Sequence, residues 1–155
     1  MHGARVIIIS SSDAKLARAK ALGADEIINY RTSPDWEKEV FRLTEKSGAD
    51  HVIEVGGADT FPRSLRAVAM GGTISVIGGG SGFTTEVALR DILGKSALIR
   101  GIFVGSREMF AAMNRAISQH KLKPVVDRVF PFSEAPAAYR HQESGAHLGK
   151  VVVTV

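Results

Sequence analysis

Short polar or glycine-containing segments follow the apolar runs of this sequence, and their residue types suit nucleotide binding. Glycine lets a flat ligand approach the backbone, and amides at the start of a helix bind phosphate. Glycines also simply make tight turns, but three glycine-containing segments favour a ligand crevice. The segments are Ser10–Asp13, Tyr30-Arg31, Val55–Gly57, Gly78–Gly82 and Val104–Ser106.

The segment Gly78–Gly82 is similar to the G-x-G-x-x-G pattern of dinucleotide sites but has Phe83 at the last position. No helix pattern begins directly behind it, as that pattern requires. We therefore expect a ribose or nicotinamide loop here and no pyrophosphate-binding turn.

The first apolar run ends in three serines, and Lys15 follows one helical turn later. Tyr30 and Arg31 end the next apolar run. Hydroxyl groups and cations suit a ribose 2′-phosphate, whereas an acid at this place would select the free ribose hydroxyls of NAD. Two alternatives to a phosphate site stay open. A serine can simply cap the following helix while Lys15 lies in solvent, and Asp13 can either cap the helix or bind a ribose.

Other catalytic patterns are absent from the sequence. The chain has no cysteine, which excludes a disulfide, a thiolate nucleophile and a cysteine-containing zinc site. The five histidines have no metal-ligand spacing, and we predict that all lie on the surface (His2, His51, His120, His141 and His147). No nucleophile elbow, Walker loop or catalytic triad is present.

Composition narrows the possible partners of this 155-residue chain. The net charge is +4, but basic residues alternate with acidic ones and only 6% of residues are aromatic, so we expect no nucleic-acid binding. No apolar run is long enough to cross a bilayer, and the first residues lack a signal-peptide pattern. We expect a cytoplasmic protein without a membrane contact.

Strand and helix patterns alternate from one end of the chain to the other. This order predicts a doubly wound α/β fold with a parallel sheet, in one domain. The predicted strands are 5–9, 26–30, 51–55, 72–77, 97–104, 125–130 and 150–155, and the predicted helices are 13–22, 60–70, 89–93, 106–120 and 135–141, with a further helix after Pro34.

Four segments, in order, resemble the medium-chain dehydrogenase/reductase superfamily, which contains zinc-type alcohol dehydrogenases and quinone oxidoreductases. The resemblance covers nearly the whole chain and includes the stretch Arg100–Arg107 with Phe110. The segments are Ala21–Tyr30, Gly48–Gly57, Gly71–Gly78 and Leu148–Val153.

This resemblance implies a nicotinamide dinucleotide, NADP or NAD, and hydride transfer to or from an alcohol, carbonyl or quinone substrate. It assigns Ser11, Lys15 and Tyr30 to the adenosine phosphate, and adds Lys150 to phosphate binding. Adenine and ribose would be lined by Val55, Gly56 and Gly57, and the nicotinamide would face Ile77, Gly78, Phe103, Val104 and Gly105. Alternatives are a non-catalytic nucleotide-binding or assembly module, and a methyltransferase, which the serines disfavour.

The resemblance also implies that residues 1–155 form a partial Rossmann-like NAD(P)-binding domain. In this family the first strand, its Gly-rich turn and helix, and the catalytic domain with any zinc precede the matching residues; His2–Ala4 would end that helix. We therefore expect the chain alone to be inactive, with a slot between strands 5–9 and 51–55. The tail 150–155 or a second chain would fill this slot, and strand 97–104 would pair copies into a homodimer.

Overall fold

The computed structural model describes residues 3–155, in which seven β-strands alternate with six α-helices. The strands are β1 (Ile7–Ser10), β2 (Glu26–Asn29), β3 (Ala49–Glu54), β4 (Val68–Val76), β5 (Leu98–Gly101), β6 (Val126–Pro131) and β7 (Lys150–Thr154). The helices are α1 (Asp13–Ala21), α2 (Trp36–Leu43), α3 (Phe61–Ala67), α4 (Leu89–Leu93), α5 (Arg107–Gln119) and α6 (Ala135–Glu143). A short 3₁₀ turn, Phe132–Glu134, precedes α6. Of the predicted helix end at 2–4, His2 lies outside the described residues, and Gly3 and Ala4 are not helical.

The chain divides into two compact units, residues 1–103 and 104–155. In the first unit β1 pairs with β2, and β3, β4 and β5 form a second sheet in that order. Every pairing is parallel, because a helix crosses over between each strand and the next. The alternating parallel architecture is the predicted α/β fold, although within residues 3–155 no pairing joins β1 to β3.

Helices α2 and α3 connect the two sheets of the first unit. One buried cluster joins Ile28, Trp36 and Val40 to Ala67 of α3, and Ile7 and Ala49 pack against it. Glu37 of α2 is buried and accepts hydrogen bonds from two arginines of α3, Arg63 and Arg66. A second cluster, whose members Leu65, Val68 and Ile74 are fully buried, lies between α3 and β4.

The prediction of a helix over 60–70 is wrong for its last three residues, 68–70. Helix α3 ends at Ala67, and Val68 already has extended backbone and begins β4. Val68 pairs with Ala49, and the register then shifts before Thr73 pairs with His51. Burial of Val68 in the second cluster outweighs the helical periodicity of the segment.

The second unit contains α5, α6 and a two-stranded parallel sheet of β6 and β7. The tail 150–155 was expected to fill a slot beside the first strand, and this expectation is wrong. β7 pairs instead with β6, from Val126 opposite Lys150 to Pro131 opposite Thr154. The crossover through α6 places two β-branched runs side by side, so the backbone N–H and C=O groups of the tail form hydrogen bonds with a strand that is near in sequence.

The prediction that all histidines lie on the surface is wrong for two of them. His141 Nε2 lies 2.8 Å from Asp127 Oδ2, and both side chains are largely buried. His147 stacks edge-on against His141 and is half-buried. These residues tie α6 and the following loop to β6.

Of the helices in residues 3–155, none combines the length and the apolar character needed to cross a membrane.

Candidate functional site

The turn from β1 to α1 carries the serines and Lys15 that the sequence singled out. Ser12 is the N-cap of α1, with extended backbone, and its Oγ accepts a hydrogen bond from the Lys15 amide at 3.4 Å. Ser10 Oγ accepts from the Ser12 amide at 3.3 Å. Ser11 and Lys15 are half-buried beside this cap. The capping role is therefore confirmed for Ser12, while Ser11 takes no part in it.

The neighbouring strand brings Tyr30 to the same end of the sheet. Ser10 is opposite Asn29 in the parallel register, and the Tyr30 amide donates to the Ser10 carbonyl at 3.1 Å. The Tyr30 side chain is 38% exposed. The serines and Tyr30 thus lie at the same end of the β1–β2 sheet, and Lys15 lies one turn into α1; hydroxyl and ammonium groups are of the types that bind phosphate.

Asp13, which sequence reasoning left as a cap or a ribose ligand, is not the N-cap of α1, because Ser12 takes that role. Its Oδ1 accepts a hydrogen bond from Asn29 Nδ2 at 2.6 Å. Asn29 Oδ1 in turn accepts from the Arg31 amide at 3.0 Å. The carboxylate that could have selected free ribose hydroxyls is therefore engaged by an amide of β2.

The carboxyl end of β3 is organised around a buried acid, Glu54, which is 3% exposed. Glu54 Oε1 accepts from the amides of Gly56 and Gly57 at 2.8 and 3.0 Å, and from Thr60 Oγ1 at 2.6 Å. Its Oε2 accepts from the Ser64 hydroxyl. We call these residues the Glu54 network. Alternation along β3 places Glu54 against the helices and leaves Val55, 59% exposed, on the opposite face.

The loop after β4 locks onto this turn. The Ser81 amide and Oγ both donate to the Gly56 carbonyl, at 2.7 and 2.9 Å. Ser81 Oγ also accepts from the Asp59 amide at 2.9 Å, and the Gly82 carbonyl accepts from the Ala58 amide at 3.1 Å. The β3–α3 turn is therefore hydrogen-bonded to its own neighbours in the protein.

Glycine is required where the two loops touch. Gly57 has φ +93°, and a Cβ there would lie 2.6 Å from Gly79 Cα and 2.6 Å from the Gly82 carbonyl oxygen. A Cβ on Gly78 would lie 2.8 Å from the Val55 carbonyl oxygen. The cavity that these loops enclose is about 240 Å³, smaller than the roughly 300–1,000 Å³ of typical ligand pockets. A dinucleotide would therefore lie outside the loops, against Val55 and the glycines.

The nicotinamide side of the predicted site is apolar and exposed. Ile77 follows β4 and donates its amide to the Glu54 carbonyl at 2.8 Å, and Ile102 after β5 donates to the Val76 carbonyl at 2.8 Å. The side chain of Ile77 is 49% exposed and that of Phe103 is 92% exposed. These apolar groups can pack against a flat ring.

Three of the predicted site residues belong to the second unit. Val104 and Gly105 precede α5, whose N-cap Ser106 accepts from the Met109 amide at 3.2 Å. Lys150 begins β7, with an exposed side chain, and its amide donates to the Val125 carbonyl at 2.8 Å. Their assignment to nicotinamide and phosphate stays a prediction.

Within residues 3–155, no group of three or more histidine, cysteine, aspartate or glutamate side chains could hold a metal ion. The described residues therefore supply no set of ligands for zinc.

Sequence reasoning missed the residues that hold the loops together: Glu54, Thr60, Ser64 and Ser81. The available signal was an acid that ends an apolar strand directly before Val-Gly-Gly, because a buried acid there must find donors in the following turn.

Comparison with known proteins agrees with this architecture. A family model described as zinc-binding dehydrogenase matches residues 1–119. A zinc-type alcohol dehydrogenase-like protein of Schizosaccharomyces pombe is 46% identical over 157 residues, covering 99% of this chain and 45% of that protein. The chain thus spans about half the length of this curated relative.

Solved structures match over the same extent. The crystal structure of an NAD-dependent alcohol dehydrogenase has a TM-score of 0.85 and 39% identity, covering 99% of this chain and 44% of that chain. The 2-octenoyl-CoA carboxylase reductase CinF, solved with NADP and 2-octenoyl-CoA, has a TM-score of 0.84 and 27% identity, covering 95% and 37%. The chain belongs to the zinc-binding dehydrogenase family, and it corresponds to the carboxyl-terminal, Rossmann-like part of a medium-chain dehydrogenase/reductase.

Proposed function

We propose that this chain is the cofactor-binding portion of an NAD(P)-dependent oxidoreductase that acts on an alcohol, carbonyl or quinone substrate. Family membership supports the reaction class, and the loops at the ends of β1, β3, β4 and β5 favour the binding of a dinucleotide. When bound, the cofactor supplies or accepts the hydride. The substrate groups and any zinc would be provided by residues outside positions 1–155.

In this proposal each strand end has a separate task. Ser11, Lys15 and Tyr30 hold the phosphate of the adenosine half. Val55, Gly56 and Gly57 pack against adenine and ribose. Ile77, Gly78 and Phe103 exclude water from one face of the nicotinamide.

We propose further that the cofactor is NADPH in preference to NADH. The observation that carries this proposal is the engagement of Asp13 by Asn29 at 2.6 Å, beside the half-buried Ser11 and Lys15. The Asp13 carboxylate is thus held by β2, whereas the Ser11 hydroxyl and the Lys15 ammonium group are of the types that bind a 2′-phosphate. A phosphate held by charge-assisted hydrogen bonds gains on the order of 2–3 kcal/mol, or one to two decades in affinity.

The proposal is tested by titrating the chain with NADPH and with NADH to millimolar concentration, by calorimetry or NMR. We expect NADPH to bind at least about tenfold more tightly, and Lys15→Ala to remove most of that difference. The matched control is Lys20→Ala at the other end of α1, where the ammonium group donates to the Asp25 carbonyl. Equal affinity for the two cofactors in the unaltered chain and in Lys15→Ala would refute the NADPH preference.

The exposed edge of β5 is the surface that we propose for pairing two copies. Within residues 3–155, β5 pairs only with β4, and all four of its residues are exposed. An edge strand offers unpaired amides and carbonyls that a second copy can complete.

A further inference from the structure

The Glu54 network contains a buried carboxylate whose hydrogen-bond donors are uncharged. Two backbone amides, of Gly56 and Gly57, and two hydroxyls, of Thr60 and Ser64, donate to it. A buried carboxylate that lacks such donors would be costly, so its presence fixes the direction of both amides. The N–H groups of Gly56 and Gly57 are therefore directed at Glu54.

The remaining polar groups of the same turn are also occupied. The Ala58 amide donates to Gly82, the Asp59 amide to Ser81, and the Thr60 and Phe61 amides to the Gly57 carbonyl. Each amide from Gly56 to Phe61 thus has an acceptor within the protein. A helix start that normally binds phosphate through free amides is here saturated.

The β1–α1 turn offers the opposite arrangement. Its acceptors are serine hydroxyls, which can also donate, and Lys15 lies one turn into the helix. The β1–α1 turn thus has groups that can bind an anion, whereas every amide from Gly56 to Phe61 in the β3–α3 turn is already bonded within the protein.

We propose that Glu54 is a positioning residue that withholds the amides of Gly56 and Gly57 from anions. It thereby makes Val55–Gly57 an uncharged wall for the sugar and ring of the cofactor and confines the phosphate to the β1–α1 turn. This inference rests on the proposed function, which identifies the ligand as a nicotinamide dinucleotide. The withheld amides, however, can be tested without any cofactor.

The test uses the ¹⁵N-labelled 155-residue chain, with inorganic phosphate as an anion probe and NADPH as a cofactor probe. We expect millimolar phosphate to leave the amide signals of Gly56 and Gly57 unmoved, and NADPH to shift them. We also expect hydrogen exchange of these two amides to be at least about tenfold slower than in an open loop. Phosphate-dependent shifts at Gly56 or Gly57, or exchange at the rate of an open loop, would overturn the proposal.

Three variants separate positioning from general stability. Glu54→Leu removes both acceptor oxygens, and we expect at least tenfold faster exchange at Gly56 and Gly57 and new phosphate shifts there. Glu54→Gln keeps one oxygen for the amides and should restore slow exchange. The control Glu37→Leu removes an equally buried carboxylate from α2 and should leave both amide signals unaltered, although it lowers stability.

The outcomes remain separable. Unchanged exchange in a folded Glu54→Leu chain, or acceleration in Glu37→Leu equal to that in Glu54→Leu, would refute a positioning role. If Glu54→Leu does not fold, the phosphate and exchange measurements on the unaltered chain decide the question. If NADPH shifts no signal anywhere, the proposed function fails, while those two measurements still judge Glu54.

Discussion

Replacing Gly57 by alanine should destabilise the chain more than the same substitution at a glycine that has no neighbouring atom near its added Cβ. Gly57 has φ +93°, and its added Cβ would lie 2.6 Å from two backbone atoms, Gly79 Cα and the Gly82 carbonyl oxygen. A left-handed backbone costs a non-glycine residue about 1–2 kcal/mol. Overpacking against backbone adds about 1–3 kcal/mol, because the neighbouring loop cannot rotate away. We expect a total loss of about 2–5 kcal/mol in the free energy of unfolding.

Two other glycines separate these contributions. Gly71 also has positive φ, +69°, but nothing lies within 4 Å of its added Cβ, so Gly71→Ala should cost only the backbone part, about 1–2 kcal/mol. Gly101 has neither a positive φ nor a neighbour within 4 Å, so Gly101→Ala should stay within about 0.5 kcal/mol of the unaltered chain.

Urea unfolding of the three variants, followed by circular dichroism, measures these differences directly. The expected order of destabilisation is Gly57→Ala, then Gly71→Ala, then Gly101→Ala. Equal losses for Gly57→Ala and Gly71→Ala would refute the close approach of the two loops. NADPH titration of Gly57→Ala should show weaker binding at the same time, since the turn that lines the ribose would have moved.

The remaining predictions concern pH and assembly. Lys38 donates to Asp35 at 2.7 Å, and this hydrogen bond, with a weaker one from Arg63, holds the pKa of Asp35 below its usual 3.8. A lowered pKa contributes stability that is present above the unfolded value and lost as pH falls through the folded value. Asp35→Asn should therefore be less stable than the unaltered chain at neutral pH, and the difference should vanish by about pH 2 in acid titrations of urea unfolding. For assembly, light scattering over a range of concentrations should give twice the mass of the chain, and a mass that stays at one chain throughout would exclude pairing through β5.

Several elements followed from the sequence because local interactions decide them. Helix α4 occupies the predicted residues 89–93, and α1 begins at the predicted residue 13, directly after its N-cap Ser12. A cap is a bond between residues three apart, so its signal is contained in a few letters of sequence. The alternation of strand and helix patterns likewise predicted the parallel pairing, since a helix between two strands brings them side by side in the same direction.

Other features depended on contacts between residues far apart in the chain. Val68 is a strand residue because it is buried between α3 and β4, although its own neighbours favour a helix. The tail strand pairs with β6, and no local pattern distinguishes that partner from any other apolar run.

The candidate site shows the same division. Its glycines and serines could be found from the sequence, because turns and caps select those residue types. Whether their backbone amides are hydrogen-bonded within the protein could not be predicted, since this depends on Glu54 and Ser81. Ser81 lies 25 residues after Gly56, whose carbonyl accepts its hydrogen bond. Residue types thus determined where a ligand could approach, and only the tertiary hydrogen bonds decided which strand end can hold a charge, because an amide already bonded within the fold cannot bind an anion.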